Sequence, residues 1–272
     1  MTEYIIESPD NEMVQDFIGL NDHHLRQSRE QPGGDMAGYF IGEGVPVIDR
    51  ALASGHRIVS LLVDQKFQLS RLSYLPAETP VLRCDAPVIE AIAGRSELKD
   101  PIGSFVRPEM VDLHSLLEET DIMVITEGVQ NPTNMGMIMR NAAAFGVDAV
   151  CVDSSSCDPL YRRAVRVSMG QVFAVPHVRI STVPEIIRTL HQEGFDTVAL
   201  APTNIAVDLS IVLSQRSHRL ALIVGSEGPG LSQRTLAAVK QVSRIPMMKN
   251  VDSLNVATAV AIALYAVRES QG

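Results

Sequence analysis

The chain has 272 residues, of which 46% are hydrophobic and 20% charged, enough for about two domains with proper cores. It has no tryptophan and only 4% aromatic residues, which argues against a binding surface of stacked aromatic platforms. The net charge is −9; residues 1–115 carry 10 Lys and Arg against 18 Asp and Glu, and residues 116–272 carry 13 against 14, a balance that disfavours broad, nonspecific polyanion binding.

The N-terminus, MTEYIIESPDNEM, has no basic region followed by an apolar run and does not read as a signal peptide. Residues 1–35 are polar and end in QSREQPGGD, where proline and paired glycines predict a loop. Strands are predicted at Tyr39–Ile41, Arg57–Val63, Pro80–Arg83 and Ile102–Val106. Helices are predicted over VPVIDRALASG and Pro87–Ala93, the first from its apolar spacing and glycine stop. These elements make a small α/β domain over residues 1–115, with a linker near Pro108 to Thr120.

Residues 116–272 have a stronger strand–helix rhythm. Strands are expected at Asp121–Thr126, Ala149–Val152, Val172–Val175, Thr197–Leu200 and Leu220–Val224, most of them separated by helices, as in a parallel sheet covered on both faces. Thr182 and Glu185 form a capping-box pattern, and Gly194 closes that helix. In such sheets ligands bind outside the carboxyl ends of the strands. The most apolar segment, Ala259 to Val267, is far shorter than the roughly 20 residues that span a bilayer, so no membrane role is expected. Three cysteines, Cys84, Cys151 and Cys157, form no CxxC pair and no even disulfide set, which suits a cytoplasmic protein. His23 and His24 are adjacent but have no companions at ligand spacing, so no metal site is expected.

Three segments carry polar groups at strand ends. In EGVQNPTNMGMIMRNAAAFGVDAV a helix is predicted to start near Asn134, with Asn134 as a possible cap. Arg140 stands four residues after Gly136, and long helical side chains lean back toward the N-terminus. Spacing alone favours an ordinary surface arginine. In ALIVGSEGPGLSQRTL an apolar strand enters Gly225, then Gly228 and Gly230; such a turn brings backbone groups close to a ligand. It is neither a Walker loop nor G-x-G-x-x-G, and Glu227 would repel phosphate. In SRIPMMKNVDSLNVATAVAIALYAV, Ser253 and Asn255 precede a buried helix; Ser253 reads well as its N-cap, whereas the Asn255 amide needs partners. Arg162, Arg163 and Arg166 fall within about one helical turn, equally readable as a solvated face and as an RNA phosphate contact.

Order and spacing together resemble the SpoU, or TrmH, family of the SPOUT methyltransferases. The three motifs are Asn134, Arg140, Phe145 and Gly146; GSEGPG from Gly225 to Gly230; and IPM followed by SLNVATA, Ile245 to Ala259. The resemblance covers roughly residues 119–268, and YRRAVRVSMGQVFAVP is similar to the family's segment between the first two motifs. FIGEGVPVIDRALASGHRIVSLLVD resembles the start of an L30e-like RNA substrate-binding domain, although its acidity departs from an RNA-gripping surface. The resemblance implies a deep trefoil knot in the C-terminal parallel-sheet domain, a rare exception to unthreaded chains, and a homodimer. It also implies S-adenosylmethionine as cofactor, with Gly225, Ile245 and Leu254 at cofactor-binding positions.

The implied reaction is methylation of a ribose 2′-hydroxyl of ribosomal or transfer RNA, without a metal. Arg140 matches the catalytic arginine, and Asn134, Glu227, Ser253 and Asn255 match the remaining polar positions of the catalytic set. Because arginine stays protonated below a pKa of about 12, stabilisation of a developing alkoxide suits Arg140 better than proton abstraction. Asn131 stands where many members have aspartate, and Lys249-Asn250 occupies a stretch that often contains glycine. A SPOUT enzyme acting on a base nitrogen, and a catalytically silent RNA-binding or ribosome-assembly protein, are the alternatives.

Overall fold

A computed structural model describes residues 2–20, 25–30, 33–94, 97–249 and 251–270. His23, His24 and Asn250 lie outside the described residues. The chain divides into two compact units, Met1–Glu109 with Leu160–Phe173, and Met110–Pro159 with Ala174–Gly272. A single cut between residues 115 and 116 therefore does not describe it, because a segment between two strands of the second unit packs with the first.

The first unit contains β1 (Thr2–Ile6), β2 (Tyr39–Glu43), α1 (Val45–Ala53), β3 (Ile58–Asp64), β4 (Pro80–Cys84), α2 (Ala86–Ala93) and β5 (Ile102–Val106). Its sheet order is β1-β4-β3-β5-β2. The β1–β4 and β4–β3 pairs are parallel; the β3–β5 and β5–β2 pairs are antiparallel. Helix α2 starts where Asp85 accepts from the Val88 N–H at 3.1 Å and stops at left-handed Gly94, the expected cap chemistry at each end. Val14, Phe17, Leu62, Leu82 and Ile89 are among its buried core.

Residues 1–35 are not simply a polar lead. Thr2–Ile6 adds β1 at the sheet edge, and a 3-10 turn over Glu12–Phe17 buries Val14 and Phe17. In β1 only Ile6 is buried, so the alternation that marks a half-buried strand is missing. Backbone pairing with β4 makes this strand.

The second unit begins with α3 (Leu113–Glu118) inside the stretch expected as a linker; Asp112 caps it at 2.9 Å from the Ser115 N–H, and Leu116 and Leu117 are buried. Then come β6 (Ile122–Glu127), α4 (Pro132–Ala144) and β7 (Ala149–Asp153). The chain next forms α5 (Arg162–Val167), part of the first unit, and returns as β8 (His177–Ile180). There follow α6 (Val183–Gln192), β9 (Asp196–Leu200), β10 (Val207–Asp208), α7 (Leu209–Ser214), β11 (Leu220–Gly225), α8 (Gln233–Ala238), β12 (Gln241–Arg244) and α9 (Val256–Glu269). The seven strands run in the order β10-β12-β9-β11-β6-β7-β8 and every pair is parallel. Met123, Ile125, Cys151, Ile187, Phe195 and Ile223 are among its core.

Two local expectations change. Val172–Val175 is not a strand: Gln171–Ala174 is a 3-10 turn following left-handed Met169 and Gly170, and the strand comes later, where buried Val178 and Ile180 alternate with less buried residues. Thr182 does occupy the N-cap of α6, but its side chain makes no capping bond. No helix among the described residues is long and apolar enough to cross a membrane.

Candidate active site

Strands β6 and β11 lie side by side at the centre of the seven-stranded sheet, with Gly225 opposite Glu127. Their carboxyl ends launch two loops, and the start of α9 joins them. Asn131 caps α4 by accepting from the Thr133 N–H at 2.9 Å, so Asn134 is not a cap. It lies one turn inside α4, buried to 4% exposure, and its amide is directed elsewhere.

Asn134 donates through Nδ2 to Glu227 Oε1. Asn255 donates through Nδ2 to Asn134 Oδ1 at 3.0 Å and to Glu227 Oε1 at 2.9 Å. The Asn255 Oδ1 accepts from the N–H groups of Ala257 and Thr258, at 3.0 and 3.3 Å, and so caps α9. Asn255, rather than Ser253, is therefore the cap, and one amide both starts the helix and joins the cluster. Among the described residues Glu227 Oε2 receives no hydrogen bond.

Two clefts meet at this cluster. One, of about 400 Å³, is lined by Gly225, Glu227, Ile245, Ser253, Leu254 and Asn255, among others. This volume is typical of small-molecule sites. All three residues expected at a cofactor are on its wall. The second cleft, of about 340 Å³, is lined by residues including Gly128, Asn131, Asn134, Ser226 and Glu227. Ser226, Glu227 and Val256 line both.

Gly225 is fixed by a close approach of backbone. A Cβ there would stand 2.4 Å from the Gly230 carbonyl carbon and 2.5 Å from the Leu231 nitrogen, a separation that real side chains do not tolerate. Gly228 and Gly230 have φ of 94° and 70°, left-handed backbone that glycine adopts at no steric cost. The glycine turn is thus folded back on itself and presents backbone groups to the first cleft.

Arg140 is not brought to the cluster. It is exposed on α4 and makes no hydrogen bond or ion pair with another described residue. Helix geometry puts it about 120° around the axis from Asn134 and about 9 Å along it. Its neighbour Asn141 ties α4 to α9 by donating to the Ala257 carbonyl at 2.9 Å. Nor do the three arginines form a free patch. Arg162, in α5, pairs with buried Glu43 and donates to the Leu20 carbonyl at 2.6 Å; Arg166 reaches the same carboxylate at 3.6 Å. The Arg162 charge is therefore matched inside the first unit, and Arg163 is also engaged with a partner. An acid 119 residues away along the chain supplied no sequence signal of this pairing.

Two carboxylates at strand ends belong to no motif read from the sequence. Glu127 accepts from the Ser232 N–H and hydroxyl, each at 2.9 Å, and from the Thr235 hydroxyl at 2.7 Å, fixing the exit of the glycine turn. Asp153 holds the loop after β7. The run of three serines after Asp153 was the available clue. Among the described residues no group of three or more His, Cys, Asp or Glu side chains is placed to hold a metal ion.

Comparison with known proteins agrees with this geometry. The model of the SpoU rRNA Methylase family matches residues 121–265. An uncharacterized tRNA/rRNA methyltransferase of Mycobacterium tuberculosis (strain ATCC 25618 / H37Rv) is 36% identical over 259 residues, covering 94% of this chain and 88% of the relative. The 23S rRNA (guanosine-2′-O-)-methyltransferase RlmB of Escherichia coli (strain K12) is 30% identical over 203 residues, 74% of this chain and 79% of the relative. Among solved structures, the AdoMet-bound rRNA methyltransferase of Sinorhizobium meliloti superposes with a TM-score of 0.80 at 26% identity, covering 98% of each chain. The chain belongs to the SpoU rRNA Methylase family.

Proposed function

We propose that this protein transfers a methyl group from S-adenosylmethionine to a ribose 2′-hydroxyl of ribosomal or transfer RNA. The observation that carries the reading is the Asn134–Glu227–Asn255 cluster, which stands where the two clefts meet. The 2′-O-methyltransferase among the relatives and the AdoMet-bound structural neighbour support it.

The first cleft fits the cofactor. Leu200, Pro202, Ile245 and Leu254 offer apolar walls, and the turn at Gly225, too tight for a Cβ, leaves backbone donors and acceptors for a nucleoside. When bound, S-adenosylmethionine supplies an electrophilic methyl on a sulfonium. Glu227 gives that cleft a negative group suited to a cationic ligand, and the two asparagine amides fix its carboxylate. The second cleft receives the ribose. Glu227 Oε2 accepts a hydrogen bond from the 2′-hydroxyl and takes its proton as the methyl group is transferred, and Ser253 adds a polar group at the cofactor side. Arg140, always protonated, stabilises the oxygen as it gains negative charge and orients the neighbouring phosphate.

That role requires Arg140 to reach a ribose that its own helix does not hold in the cluster. A homodimer accounts for this. Met137, Ile262 and Tyr265, on α4 and α9, are partly or largely exposed apolar side chains, and a second copy seated on them would lie beside Arg140. The first unit acts as an L30e-like RNA-selecting domain, the parallel-sheet unit carries the family's trefoil knot, and the protein works in the cytoplasm without a metal.

Isothermal titration with S-adenosylmethionine, using wild type and Gly225→Ala, tests the cofactor half. Wild type should bind one cofactor per chain, and the variant should lose most of that affinity. No binding to the wild type would overturn the enzymatic reading and favour a silent RNA-binding protein.

A further inference from the structure

The loop that follows β7 contains an ion-centred knot of bonds that the proposed reaction has not used. Asp153 is 5% exposed, and its carboxylate accepts from five donors. Oδ1 takes the N–H of Gly128 at 3.0 Å, the N–H of Ser156 at 3.0 Å and the Ser156 hydroxyl at 2.5 Å. Oδ2 takes the Ser155 hydroxyl and the Ser155 N–H at 3.2 Å. The Ser156 hydroxyl oxygen in turn accepts from the Val129 N–H at 2.8 Å, and the Val129 carbonyl accepts from the Cys157 N–H at 2.9 Å.

Two successive N–H groups of the loop after β6, those of Gly128 and Val129, thus hang from one carboxylate, directly and through one hydroxyl. That loop is a wall of the second cleft, which Gly128, Val129, Gln130 and Asn131 line. The opposite wall is the glycine turn, and the two touch at Gly128. A Cβ on Gly128, whose φ is 71°, would lie 3.3 Å from the Ser226 Cβ. A shift of the Asp153 network therefore moves one wall of the acceptor cleft against the other. On the far side Arg179 donates to the carbonyls of Asp153 and Ser156, at 3.1 and 3.2 Å, so the network cannot slide freely. Burial pushes the Asp153 pKa up, but the Ser155 and Ser156 hydroxyls and the Gly128 N–H outweigh it and hold the group below the usual carboxylate range. The carboxylate is ionised at neutral pH, when its charge strengthens every bond it accepts.

We infer that Asp153 is a positioning residue for methyl transfer, setting the width of the cleft that takes the RNA ribose by holding Gly128 and Val129. It touches neither proposed cleft itself, and the inference rests on the assignment of the second cleft to the acceptor. Its mark is a separation of effects. Orientation of the acceptor enters kcat, whereas cofactor affinity depends on the other cleft and RNA affinity on contacts spread elsewhere.

The test measures kcat, KM for RNA and cofactor affinity for Asp153→Asn, Ser156→Ala and Ser154→Ala, using total RNA from cells lacking the protein and S-adenosylmethionine. Asp153→Asn should lower kcat by about tenfold to a hundredfold, the scale of a small misplacement of reacting groups. KM for RNA and cofactor affinity should stay within about twofold of wild type. Ser156→Ala, which keeps the carboxylate but loses the link to Val129, should shift kcat the same way and less. Ser154, whose hydroxyl donates to the Ser181 carbonyl instead, should be silent. An unchanged kcat in both Asp153→Asn and Ser156→Ala overturns the inference, as does a parallel loss of cofactor affinity, which would mark general loosening. Should Asp153→Asn not fold, Ser156→Ala carries the test alone. An inactive wild type would instead remove the functional reading on which the inference rests.

Discussion

A single amide shows how the site is assembled. The Asn255 side chain divides its two ends between tasks: the oxygen caps α9 and the nitrogen bonds Asn134 and Glu227. The sequence marked Asn255 as a polar group needing partners, and it has them. It also marked Asn134, but offered it as a cap, because a proline two residues earlier did not reveal that Asn131 takes that place. Arg140 is the opposite case. It is recognisable only by its place in a family pattern, since an exposed arginine with no described partner has no local signature. Its test is substitution: Arg140→Ala should lower kcat by about a hundredfold or more, the range for removing a donor to a developing oxyanion. Calorimetric cofactor affinity should be unchanged, because Arg140 lines neither cleft. Retained turnover would take Arg140 out of the mechanism.

Among the elements, the segment Leu160–Phe173 was the least legible. Its arginines read equally as a solvated helix face and as an RNA phosphate contact, yet this stretch leaves one sheet and packs with the other unit. The buried Glu43 that pairs with Arg162 lies at the end of β2, far off in sequence, and short-range spacing cannot report such a partner. Breaking one side of a buried pair leaves an uncompensated charge. Glu43→Gln should therefore destabilise the protein by about 3–5 kcal/mol, read as a lower urea midpoint, and the double change with Arg162→Met should recover much of that loss. Equal loss in both would mean that the cost does not come from an unpaired Arg162 charge. Most strands, by contrast, lie within a residue or two of where the sequence predicts them, because buried parallel strands such as Ile122–Glu127 and Leu220–Gly225 are continuous apolar runs. The edge strand Thr2–Ile6 escaped for the complementary reason: its side chains are mostly exposed, and only its backbone is paired.

For the whole molecule, the catalytic half could be read from its motifs, since glycine turns, caps and buried helices impose residue types at fixed spacing. The site itself could not be drawn from them. Which polar groups meet depends on β6 and β11 being neighbours in the sheet, although the paired Glu127 and Gly225 stand 98 positions apart in the sequence. The acidic balance of residues 1–115 argues against a broad RNA-gripping surface there. The central claim is that the acceptor is a ribose oxygen. It is tested most directly by nucleoside mass spectrometry of RNA from cells with and without this protein. One nucleotide of ribosomal or transfer RNA should carry a ribose methyl group only when the protein is present. A methyl group found on a base instead, dependent on the protein in the same way, would contradict it.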